Sequence, residues 1–292
     1  MSKRGIEVEL LQCPDCGGEI DRTMQCTSCR AQFALESGVY NLLPRSLDAV
    51  KRNEDTVFAA DGAEVSKTRG RPWRRIANRP EVLRFDDEVV DLFRGGRFLE
   101  LGGESCFASS IFKSVFPDSI VYASDVSPNA LRNAAIPTSR LFPRQPDYFV
   151  AVDAEAIPFK PGTFDAVFAL TMMHHLPNPL KMLNEVHRVL KAGGRFIAID
   201  ASVPLHFRWL FSAIAEQRAR QYGIQESLIP YPKWEAMVRE SALPLRSLKI
   251  YTQTKYQRNL LYVLAGKMVQ RVPARLARRL FPVGIVIDYE KP

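Results

Sequence analysis

The chain has 292 residues, 46% of them hydrophobic and 25% charged, with a formal charge of +8. That is enough to bury one full-sized core and to leave room for something smaller. The longest apolar run, around Leu260 to Gly266, falls far short of the ~20 residues that span a bilayer. Met1 to Leu10 lacks the apolar centre of a signal peptide, so a cytoplasmic protein is expected.

Four of the five cysteines crowd into residues 13–29, leaving Cys106 by itself. Stable disulfides are rare in a reducing compartment, so the crowding points to metal. Cys13-Pro-Asp-Cys16 is followed by nine residues and then by Cys26-Thr-Ser-Cys29. Each pair makes a tight knuckle that turns two sulfurs towards one point. Cys13, Cys16, Cys26 and Cys29 then supply the four thiolates of a closed, structural Zn²⁺ site. So short a segment cannot bury enough apolar surface alone, and the metal would provide much of its folding free energy.

The stretch from Leu11 to Gly18, with Gly38-Val-Tyr-Asn-Leu-Leu-Pro44, resembles the Trm112-like zinc ribbons. That family accompanies methyltransferases, either fused to them or as a partner subunit. The stretch is also similar to the zinc-finger head of the bacterial ribosomal-RNA guanine-N1 methyltransferases. There the fourth ligand is typically a histidine, whereas here it is Cys29. The resemblance implies substrate docking or domain support for residues 1–45. Residues 46–80 are polar and charged, broken by Gly70, Pro72 and Pro80. They read as a linker with a helical segment, part of which closes over an active site.

From about residue 81 to 292, short apolar strands alternate with amphipathic helices. That pattern predicts an α/β domain, a Rossmann-like and mostly parallel sheet of seven strands with helices on both faces. The predicted strands are 97–101, 120–125, 148–153, 164–170, 195–199, 245–251 and 284–289. Helices are predicted over 105–116 and 179–190, with further helical insertions at 203–242 and 255–281 on the acceptor side. In such sheets ligands bind beyond the carboxyl ends of the strands. Glu100, Asp125, Asp153 and His174 all fall at or near those ends.

Strand-end acids suit an adenosyl ligand: one accepts hydrogen bonds from both ribose hydroxyls, the next from the adenine amino group. Phe98-Leu-Glu-Leu-Gly-Gly, Tyr122-Ala-Ser-Asp-Val-Ser, Val152-Asp-Ala-Glu-Ala-Ile-Pro-Phe, Phe164-Asp-Ala-Val-Phe, His174-His-Leu-Pro-Asn-Pro and Val189-Leu-Lys-Ala-Gly-Gly-Arg-Phe occur in order. They resemble the motifs of class I S-adenosylmethionine-dependent methyltransferases, in the ubiquinone/menaquinone-methyltransferase-like branch. The resemblance implies S-adenosylmethionine as cofactor. It marks Glu100, Gly102, Gly103, Ser105, Asp125, Val126, Asp153, Ala154 and Leu170 as cofactor-binding, with Asp125 at the ribose, Asp153 beside Ala154 at the adenine and Glu100 facing the cationic end. One departure stands out. The family pattern is acid-x-Gly-x-Gly-x-Gly, and this chain has Glu104 and Cys106 at the second and third glycine positions.

Methyl transfer from a sulfonium needs alignment and exclusion of water. A base is needed only where the nucleophile must lose a proton, and His174 is the candidate. The leading expectation is a methyltransferase acting on a small molecule: a specialised metabolite, a saccharide or a lipid-linked intermediate. A ribosomal-RNA base methyltransferase is the alternative, favoured by the ribbon and by basic tracts at 67–79 and 255–279. Those tracts suit RNA phosphates or an anionic membrane surface. A non-catalytic scaffold with a degraded cofactor loop is the third reading.

Overall fold

The computed structural model describes residues 5–60, 96–104, 106–202, 227, 229–251, 272, 273, 276 and 283–292. A hairpin of β1 (Ala34–Glu36) and β2 (Val39–Asn41) is followed by helix α1 (Ala49–Ala60). The alternating part runs β3 (Arg97–Leu101), α2 (Phe107–Val115), β4 (Ile120–Asp125), α3 (Pro128–Leu141), β5 (Tyr148–Ala151) and β6 (Phe164–Leu170). It continues with α4 (Pro179–Val189), β7 (Leu190–Ser202), α5 (Tyr231–Glu240), β8 (Leu248–Tyr251) and β9 (Val283–Glu290).

One sheet takes all nine strands, in the order β1-β2-β5-β4-β3-β6-β7-β9-β8. From β2 through β7 every pairing is parallel, and β1, β8 and β9 run antiparallel to their neighbours. Strands covered on both faces read as unbroken apolar runs, and β3, β4 and β6 are buried almost end to end. On one face Phe112 of α2 stacks on Phe98 of β3 and Phe168 of β6, with centroids 6.3 and 4.5 Å away. The opposite face carries Leu99, Leu101, Tyr122 and Val167 against Met182, Leu183 and Val186 of α4 and Trp234 of α5. Helix α4 starts where predicted, with Asn178 accepting from the Lys181 amide at 3.1 Å and proline at the first helical position. Strand β7 begins earlier than predicted, at Leu190, and its Gly193-Gly194 bulge sets the register shift against β6.

All seven predicted strands are present, β3 to β9, and among the described residues the N-terminal segment adds two more to the same sheet. Ser37 (φ 50°) and Gly38 (φ 84°) close a two-residue hairpin loop with both residues left-handed, matching the twist of its strands. Val39, Tyr40 and Asn41 then pair in parallel with Phe149, Val150 and Ala151. The ribbon is therefore joined to the sheet. Leu11, Cys13, Ile20, Cys26 and Phe33 pack in the same cluster as Tyr122, Phe159 and Phe164, and the Gln12 amide donates to the Pro158 carbonyl at 3.1 Å. Among the described residues no helix is long and apolar enough to cross a membrane.

Candidate active site

Strands β3, β4 and β5 are laid down in one direction across the sheet, and β6 starts again on the other side of β3. A ligand crevice is expected at such a reversal, beyond the carboxyl ends. A cavity of about 280 Å³ opens there. Its walls come from the ends of four strands: Leu101 and Gly102 after β3, Asp125 and Val126 after β4, Asp153 and Ala154 after β5, and Leu170 to Met172 after β6.

The turn after β3 is built for close approach. Gly102 has φ 65°, and a Cβ there would lie 2.6 Å from the Met172 Cβ. Glu104 (φ 37°) and Cys106 (φ 53°) keep the left-handed backbone that glycine favours, at roughly 1–2 kcal/mol each. Both departures from the glycine pattern thus preserve the backbone course of the loop. The Cys106 side chain is fully buried with Val39, Ala123 and Leu131, as a small apolar residue. The Glu104 amide donates to Asp125 Oδ2 at 2.8 Å, and the Ser127 amide donates to Oδ1 at 2.9 Å. Burial pushes the Asp125 carboxyl up to about 6, opposed by those amides and reinforced by the Glu104 charge.

Glu100 and Gly103 stand beneath the loop and do not line the cavity. Glu100 Oε2 accepts from the Ser109 amide at 3.1 Å and from the Ser109 hydroxyl, which ties β3 to the first turn of α2. A carboxylate is favoured at that helix end, while burial pushes this one up to about 7. Ser105, His206 and the charged residues of the basic tracts 67–79 and 255–279 lie outside the described residues. So do residues 203–226 of the acceptor-side insertion, whereas Tyr231 and Trp234 within it are buried in the core.

On the β5 side, the helical segment expected within 46–80 supplies cavity side chains that the sequence did not single out. Helix α1 lies over the crevice, with Lys51 and Glu54 in the cavity wall. Lys51 Nζ donates to both oxygens of Asp153, at 2.7 and 2.8 Å, and sits 3.1 Å from Glu155 Oε2. Asp55 fastens the same helix to α3, accepting from the Ser127 hydroxyl at 2.8 Å and the Asn129 amide at 2.9 Å. Burial, followed by the Asp125 charge, pushes Glu54 up to about 7. The available signal was the spacing Lys51, Glu54, Asp55, which gathers three charges on one side of a helix.

On the β6 side, Thr171 is held at φ 54°, strained for a β-branched residue. His175 and Leu176 line the cavity, and His174 does not appear in its wall. His174 Nδ1 lies 2.7 Å from Asp200 Oδ1, and the His174 amide donates to Oδ2 of the same residue at 3.1 Å. Asp200, fully buried at the end of β7, was the other residue missed, although it closes a strand as Asp125 does. His187 bonds the Tyr289 hydroxyl at 2.8 Å through Nδ1 and serves packing.

In the ribbon, the Sγ atoms of Cys13, Cys16, Cys26 and Cys29 all lie within 4.8 Å of one another. Cys16 and Cys26 approach to 3.5 Å and Cys13 and Cys29 to 3.6 Å. A tetrahedron of thiolates ~2.3 Å from Zn²⁺ has edges of about 3.8 Å, so the donor set fits that ion. The knuckles repeat one another: Gly17 N donates to Cys13 O at 2.8 Å and Arg30 N to Cys26 O at 3.0 Å.

The reversal of strand order, the acids closing β4 and β5, and the tight turn after β3 define a class I methyltransferase fold. Residues 99–198 match the family described as a methyltransferase domain. Over 135 residues the chain is 29% identical to a ubiquinone/menaquinone biosynthesis C-methyltransferase from Pasteurella multocida, covering 46% of this chain and 47% of the relative. It is 30% identical over 206 residues to a mitochondrial arginine-hydroxylase from Danio rerio, covering 65% of this chain and 62% of that one. The chain thus spans about half the length of the first of these relatives. A solved chain from the complex of the Haloferax volcanii Trm112 methyltransferase activator with a methyltransferase superposes with a TM-score of 0.55 at 16% identity. That match covers 82% of this chain and 97% of the other, and it shows a shared fold.

Proposed function

We propose that the protein transfers a methyl group from S-adenosylmethionine to a small-molecule acceptor. The observation that carries this reading is Asp125, whose two oxygens are oriented by two backbone amides in the cavity wall. A carboxylate so held suits the vicinal hydroxyls of a ribose. Val126, Leu101 and Ala154 offer apolar walls for a purine, and Gly102 leaves room for the amino-acid end. When bound, the cofactor supplies an electrophilic methyl on a sulfonium; the chain's own residues align the acceptor and exclude water.

His174 is the proposed base. A carboxylate only accepts, so Nδ1 carries the proton shared with Asp200, which fixes the tautomer of a ring lying 4.1 Å, centroid to centroid, from His175 of the cavity wall. That arrangement favours an acceptor that gives up a proton, such as a hydroxyl or an acidic carbon. The ribbon is proposed to hold structural Zn²⁺ and to carry no chemistry itself.

The test is calorimetry with S-adenosylmethionine on wild type and Asp125→Ala. It is joined to a search for metabolites that gain one methylene only in cells expressing the wild-type chain. Binding weaker than millimolar with zinc present and the fold intact would sink the proposal. A product that gains oxygen instead of a methylene would assign the chemistry named for the Danio rerio relative.

A further inference from the structure

We infer that Lys51 is a positioning residue that makes the adenosyl pocket selective for a 6-amino purine. This inference rests on the reading of the cavity as an S-adenosyl site. Lysine offers three donors, and all three are used: on Asp153 Oδ1 at 2.7 Å, on Asp153 Oδ2 at 2.8 Å and beside Glu155 Oε2 at 3.1 Å. With 6% of its surface exposed, Lys51 has its charge spent on these carboxylates, and it does not compete for a ligand.

Its effect falls on the acceptor capacity of Asp153. Each carboxylate oxygen accepts about two hydrogen bonds. Oδ1 takes Lys51 and the Glu155 amide at 2.9 Å, so its capacity is filled. Among the described residues, Oδ2 takes Lys51 alone. Asp153 is therefore left with one acceptor position in the cavity wall. A 6-amino group fills it by donating. A 6-oxo group, an acceptor, meets it oxygen to oxygen, and the base can bond Asp153 only by shifting to present its N1–H; sites built to bond an N–H at one position discriminate against such analogues. Lys51 also keeps this carboxylate compensated in a buried place, where a lone charge would be costly. The lysine comes from α1, outside the matched segment 99–198, so the purine preference would be set by the tail of the ribbon.

The experiment is calorimetry on the full chain with S-adenosylhomocysteine and its 6-oxo counterpart, S-inosylhomocysteine. Wild type is expected to prefer the amino form by about tenfold or more. In Lys51→Met the carboxylate loses the two bonds that aim Oδ2 at the base, so the amino form should weaken by at least about tenfold and the oxo form much less, and the preference collapses. A general loosening of α1 would weaken both forms by one common factor, and that result, or no change in either, overturns the inference. If Lys51→Met does not fold, Lys51→Arg replaces it. The longer planar head shifts the carboxylate and should cut the preference by a smaller factor; an undiminished preference overturns the inference there too. A wild-type chain that binds neither nucleoside removes the S-adenosyl reading, and this inference with it.

Discussion

At the residue scale the site is governed by carboxylates whose ionisation costs energy in the fold. Asp125 is pushed up to about 6, and Glu54 and Glu100 to about 7, each mainly by burial. Their unfolded values lie near 4, so between about pH 4 and 7 the folded chain binds more protons than the unfolded one. The chain without ligand should therefore lose stability as pH rises through that window, a trend readable from denaturant midpoints. Cofactor affinity should run the other way, because ribose binding needs ionised Asp125; calorimetry should show it falling as pH drops below about 6. Glu104→Gly removes both a left-handed non-glycine and a neighbouring charge. It should stabilise the chain by about 0.5–1 kcal/mol after the entropy of glycine is subtracted, and it should move the lower limb of the binding profile to lower pH. For the proposed base, Asp200→Asn should lower kcat by about 10²-fold or more, with cofactor affinity unchanged. Of these residues, Asp125 and Asp153 are legible in the sequence as acids closing apolar strands. Asp200 has the same signature but follows a strand bounded by less obvious limits.

At the scale of elements, α1 shows why part of the site escapes the sequence. Amphipathic periodicity finds helices whose buried side is apolar. The described inward side chains of α1 are ionic, with Lys51 on Asp153 and Asp55 on the start of α3, so residues 46–80 read as a linker with a helical segment and give no sign of which side chains enter the cavity. Strand ends and the order of motifs, by contrast, need only local pattern, and β3, β4 and β6 fall where predicted. Asp55→Ala frees the Ser127 hydroxyl and the Asn129 amide at one stroke. It should cost about 1 kcal/mol in thermal unfolding, as the loss of a helix cap does, and should weaken cofactor binding by releasing α1 from the crevice.

At the scale of the whole molecule, the sequence suggests a small metal module followed by a catalyst, and the structure joins them. The four thiolates were legible from spacing alone. The parallel pairing of β2 with β5 was not, because three residues carry it and their partners lie more than a hundred positions away. Removing the Zn²⁺ proposed for the ribbon should then act on the entire chain. A chelator, or Cys26→Ser, is expected to lower the temperature of one shared unfolding transition, followed by calorimetric scanning. Two separated transitions would mean that the ribbon melts alone.

The same pairing bears on how this chain can be cut. Strand β5 has β4 on one side and β2 on the other, and β2 is the one neighbour that a trimmed domain would lose. A fragment starting at residue 96 would leave the β2-facing backbone donors and acceptors of Phe149–Ala151 unpaired, on a strand whose side chains are nearly all buried. Bare strands of that kind recruit other chains. The fragment should scatter light and elute as multimers at concentrations where the full chain does not, so the hairpin would act as a built-in guard against aggregation.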